Sequence, residues 1–151
     1  MRRNRWGPVL GLAAMCGART IAPLAVVPAV NGGRAPGLLG RRWAQPLLVA
    51  WATAEFAMDK TRWIPARTRP LLAAGRAAAG AAMVAAFVSG RGRTATRTAL
   101  VGAVAALAGT FASHGLRERA RRWTGWPSAA LGALEDALVV VGAVPLARQL
   151  A

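Results

Sequence analysis

Hydrophobic and polar positions along the chain do not alternate at either the strand or the amphipathic-helix period. Instead, long apolar runs are separated by short charged connections, and five such runs stand out. The first extends from Gly7 to about Val30 and is interrupted by Arg19 and by Pro8, Pro23 and Pro28. The others run from about Trp43 to Asp59, from Leu71 to Ser89 with Arg76 inside, from Thr98 to His114 without a charge, and from Pro127 to about Ala147 with Glu135 and Asp136 inside. None has the period-two pattern of a barrel strand, and Ala and Leu dominate, so each predicts a helix. Spans of about 20 residues match a hydrocarbon core about 30 Å thick. The expectation is an all-α, polytopic transmembrane bundle of about five segments, forming one domain over residues 1–151 with no soluble domain, its first segment kinked or re-entrant.

Composition sharpens this picture. Twenty Lys and Arg stand against five Asp and Glu, a formal net charge of +15, yet charged residues are only 17% of the chain and apolar ones 55%. A nucleic-acid-binding domain would carry its basic residues on the faces of its elements. Here all but six charges lie in the terminal regions or between runs, the exceptions being Arg19, Glu55, Asp59, Arg76, Glu135 and Asp136. That segregation predicts a lipid bilayer as the principal partner and argues against nucleic acid. Trp6, Trp43, Trp63, Trp123 and Trp126 stand at segment edges, where indole rings anchor at membrane interfaces. Gly75, Gly80, Gly102, Gly109, Gly132 and Gly142 lie inside segments, as in membrane helices that approach closely. An Ala-rich soluble bundle would not separate its charges in this way.

One cysteine, Cys16, and one histidine, His114, exclude an intrachain disulfide and a multi-histidine metal centre, and no cofactor or metal is expected. The Ala, Gly and Arg richness reads as GC-rich bacterial coding, which points to a bacterial cell (inner) membrane. The stretch Met1-Arg2-Arg3-Asn4-Arg5 before an apolar run has the form of a signal peptide, with cleavage after Ala18 conceivable, but four further apolar segments follow. If five segments cross, eleven basic residues fall on the amino-terminal side against seven, which favours a cytoplasmic N-terminus and termini on opposite faces; a re-entrant first segment makes the count ten against eight.

Four places along nearly the whole chain, and an ending, resemble the uncharacterised bacterial integral-membrane family known as domain of unknown function 4126. Gly17-Ala18-Arg19-Thr20, leading to Pro23, is similar to its Gly-x-Arg turn. Glu55-Phe56-Ala57-Met58-Asp59-Lys60 with Pro65 resembles its Glu-x-x-x-Asp-Lys-x-Pro element. Arg69-Pro70 with the Gly75 to Ala81 region resembles its Arg-Pro and Gly-Ala run, and Ala112-Ser113-His114 with Arg117 its Ala-Thr-His stretch. Ser128-Ala129-Ala130-Leu131 followed by Glu135-Asp136 resembles its Ser-x-x-Glu-Asp ending. The resemblance implies a multi-span membrane architecture and brings no activity with it.

Charges at bilayer depth cost about 2.5–3.5 kcal/mol each on insertion scales, so the six mid-segment charges must pair, face inward or line a wet cavity. Glu55 and Asp59 share a helical face with Trp51, whereas Glu135 and Asp136 project about 100° apart. Two readings follow. Arg19, Glu55, Asp59, Arg76, Glu135 and Asp136 form a polar site for protons, ions or a small solute in a transporter or channel-like protein, in which four acids outnumber two arginines; or they lock the helix register of a scaffold or lipid-interacting protein. His114 is expected at the interface, with a proton relay as its alternative. Arg117, Arg119, Arg121 and Arg122 could hold anionic lipid headgroups or act only as a topogenic signal. An enzyme acting on lipids has no nucleophile or metal motif to support it, the solute is not legible, and homo-oligomerisation stays open. Arg19 is expected to contact Glu135 or Asp136, because arginine cannot readily discharge and most needs a partner.

Overall fold

The computed structural model describes residues 5–58, 70–88 and 93–151, with only the backbone of residues 58 and 93. Asp59 and Lys60 lie outside the described residues. Six helices follow one another: α1 (Trp6–Ala18), α2 (Ala22–Val30), α3 (Ala44–Met58), α4 (Pro70–Phe87), α5 (Arg93–Thr124) and α6 (Ser128–Arg148), with a short 3₁₀ turn at Gly37–Gly40. Among the described residues there is no β-strand. The fold is therefore an all-α bundle. Helices α4, α5 and α6 are long and apolar enough to cross a membrane, while α1, at 13 residues, is shorter.

The first apolar run is two helices, not one. Arg19 takes an extended conformation (φ −136°, ψ 117°) that ends α1, and Pro23 sits in the first turn of α2, where its missing N–H costs nothing. The chain then doubles back. Gly11 of α1 faces Leu146 and Gly142 faces Met15, so α1 runs antiparallel to α6. The amide Nδ2 of Asn31, just after α2, donates to Ala147 O at 3.2 Å, so α2 returns to the same end of α6 that α1 set out from. The reading in which the first segment crosses completely is thus corrected: α1 and α2 form a hairpin whose tip, at 19–21, lies inside the bundle. The beginning of α1 and the end of α6 consequently lie at the same end.

The body of the bundle is α1, α4 and α5, packed through small residues. Gly80 of α4 and Gly102 of α5 lie backbone to backbone, so that a Cβ on either would enter the other's carbonyl. Val9, Leu12, Cys16, Met83, Val84 and Ala106 are completely buried around these crossings. Helix α6 covers α1 and α2, and α3 lies against α2 and the 3₁₀ turn. Trp43, just before α3, and the outward faces of α3, α5 and α6 with Leu47, Trp51, Leu100, Val104, Phe111, Leu138 and Val141 are exposed, an apolar exterior suited to acyl chains.

The fourth run also differs from expectation. The helix continues ten residues past His114 to Thr124, so the basic stretch is helical rather than a connection. Arg, Glu and Ala are good helix formers, and Glu118 accepts bonds from Arg121 at i+3 and Arg122 at i+4. Gly125, at φ 65°, terminates the helix by donating its N–H to Arg121 O, and Pro127 leads into α6.

Candidate functional site

Breaking a helix inside an apolar bundle leaves the last carbonyls of α1 and the first amides of α2 without intrahelical partners. Side chains from three other helices supply the partners. The carbonyl of Gly17 accepts a bond from Arg76 Nη1 of α4 at 3.0 Å and one from Thr110 Oγ1 of α5, also at 3.0 Å. The Thr110 hydroxyl also faces Ala106 O, at 2.9 Å. Gly17 is required here because a side chain would strike the α5 backbone at Ala106 and Thr110. On the other side of the break, the N–H groups of Thr20 and Ile21 donate to the two carboxylate oxygens of Glu55, at 2.8 and 3.0 Å.

The electrostatics match the two helix ends. The carboxyl end of α1 carries partial negative charge and meets the Arg76 cation, and the amino end of α2 carries partial positive charge and meets the Glu55 anion. Arg19 lies between them at 1% exposure. Its guanidinium forms an ion pair with Asp136 of α6 and stacks over Phe56 of α3, with 5.6 Å to the ring centroid. The sequence-based expectation of an Arg19 contact to the Glu135–Asp136 pair is met at Asp136.

Glu135 turns the other way, as its 100° offset requires. Its carboxylate pairs with Arg117 Nη1 at 3.4 Å, and Arg117 Nη2 also donates to Ser128 O at 2.7 Å and Ser128 Oγ at 3.0 Å. Arg117, read from sequence as a headgroup or topogenic residue, therefore bridges α5 to α6. Around the break and the α5–α6 bridge, Glu55, Glu135 and Asp136 thus stand with Arg19, Arg76 and Arg117. Asp59 lies outside the described residues. His114 is exposed on α5, one turn past Thr110. Arg119 is exposed, and Arg121 and Arg122 hold Glu118.

The sequence analysis did not single out Thr110, Phe56 or the amides of Thr20 and Ile21. Thr110 had a signal, as a hydroxyl within an uncharged apolar run, and Phe56 sits beside Glu55. Backbone amides have no side-chain signature. Among the described residues no three His, Cys, Asp or Glu side chains converge as metal ligands.

Beside the break, a cleft of about 260 Å³ opens between α1, α5 and α6. Met15, Leu116, Leu131, Leu134 and Leu138 form its walls, and Arg117 and Glu135 its polar part. Its lining includes Met15, in the last turn of α1 before the break.

No curated protein and no solved structure matches the chain. A family model does match, over residues 8–149, and so spans the hairpin, the break and both carboxylates of α6. This chain, with apolar helices that suit an integral membrane protein, belongs to the family described as domain of unknown function (DUF4126).

Proposed function

We propose that the protein is a small transporter or channel-like protein of the bacterial inner membrane, with the α1–α2 break, held by Glu55, Arg19 and Arg76, as its polar centre. The observation that carries this reading is the pair of bonds from the Thr20 and Ile21 amides to the Glu55 carboxylate. Helix α3 packs on α2 and the 3₁₀ turn, and this carboxylate links α3 to the hairpin tip. Broken helices held at mid-bundle are the places where membrane transporters bind solutes, because irregular backbone persists there only against protein or water.

Glu55 is a carboxylate acceptor that a cation or polar solute reaching the break would meet beside the amino end of α2. A cation bound there competes with the Thr20 and Ile21 amides for the carboxylate oxygens, which loosens the tip from α3 and opens the polar centre. Arg19–Asp136 keeps the hairpin in the bundle meanwhile.

The test is flux in proteoliposomes over a panel of small inorganic ions. The expected result is flux above empty liposomes for at least one of them, and a folded Glu55→Gln variant in which that flux falls several-fold. Folded protein that gives no flux above empty liposomes would overturn the reading. The partnered charges around the break favour a second reading, in which they only fix helix register in a membrane scaffold. That reading expects no flux from either protein.

A further inference from the structure

We propose that the cleft between α1, α5 and α6 is a site for an anionic phospholipid, taking the upper part of one acyl chain against Leu116, Leu134 and Leu138 with the headgroup at Arg117 and Arg121. This inference stands independently of the transport reading. The cleft lies between two helices that could each cross a membrane, and its walls are aliphatic apart from Arg117, Glu135 and Ser113. From Leu131 to Val139 it follows α6 for about 12 Å, enough for part of one chain and too little for a whole lipid.

An acyl chain gains little by leaving the bilayer for an apolar groove, since the two environments are alike. Selectivity must therefore come from the rim, where the charge is net positive. Arg117, Arg121 and Arg122 stand there against Glu118 and Glu135, leaving an excess of one positive charge, while Arg119 projects from the side of α5 opposite Arg117. Arg121 follows Arg117 by four residues and so sits one turn above it on the same side of α5. The Arg117 guanidinium is fixed over the start of α6 by Ser128, which places it at the mouth of the cleft. Exposed Trp123 and Trp126 mark the same level as a membrane interface. A phosphodiester headgroup with net negative charge complements this rim, and a zwitterionic one does not.

The experiment reconstitutes the full chain and measures, by native mass spectrometry and thermal unfolding, retention of phosphatidylglycerol against phosphatidylcholine with the same chains. The expected result is one retained phosphatidylglycerol, favoured about fivefold or more over phosphatidylcholine, with matching thermal stabilisation. Leu138→Trp, which fills the cleft from an exposed position, should abolish that single site. Arg121→Gln, on the surface, should keep the fold and reduce the preference toward parity. Glycerol phosphate without chains should give no stabilisation. Equal retention of the two lipids, an unchanged site in both variants, stabilisation by free glycerol phosphate, or a change of oligomeric state with Leu138→Trp would each overturn the proposal.

Discussion

The α4–α5 crossing and the α1–α2 break solve the same packing problem by opposite means. At the crossing both helices are continuous, their backbone groups are satisfied internally, and contact needs only the absence of side chains at Gly80 and Gly102. At the break the backbone is open, and four side chains from four helices (Glu55, Arg76, Thr110 and Asp136) hold the backbone or Arg19 in place. A continuous helix in an apolar setting is closed by shape. An interrupted one is closed by charge, which makes it costly to alter.

The comparison breaks most readily at its charged member. Arg19→Ala or Asp136→Ala leaves a buried charge without its counter-ion, at about 3–5 kcal/mol, and folded yield in detergent should fall sharply. The double variant should lose less than the sum of the two, and a strictly additive result would show that the side chains act separately. Next, Gly80→Leu or Gly102→Leu should cost about 1–3 kcal/mol by forcing α4 and α5 apart, read as a lower unfolding temperature. An unchanged temperature would mean that the crossing is not tight.

Glu55→Gln keeps the shape and one acceptor oxygen while removing the charge, so about 1–3 kcal/mol is expected from the amide left with a poorer partner. The smallest effect should be Thr110→Val, about 0.6 kcal/mol, the usual size for an interhelical hydrogen bond in a membrane protein. If Thr110→Val cost as much as Arg19→Ala, the division between shape and charge would fail.

These effects also mark how far the sequence could be read. The runs from about Trp43 to Asp59, Leu71 to Ser89 and Pro127 to about Ala147 correspond closely to α3, α4 and α6, because apolar length sets where a membrane helix can lie. Arg19 with Pro23 marked an interruption, but an interruption has no direction. Whether the chain continues or returns is decided by packing against α6, at Gly11–Leu146 and Asn31–Ala147, far away in sequence. Arg19 and Asp136 were legible as partners because each is a mid-run charge. Arg117 was not, since it stands beyond an apolar run and its bond to Glu135 exists only because α5 continues as a helix past His114. Glu55 had no visible partner for a simpler reason: it binds main-chain amides, which every residue carries.

The returning hairpin is the claim from which the polar centre follows, and sidedness tests it directly. Reporters fused before Met1 and after Ala151, read in intact cells, should lie on the same side of the membrane, because α1 begins at the end of the bundle where α6 finishes. Reporters on opposite sides would mean that the first segment crosses completely, and would contradict the hairpin and the buried break built on it.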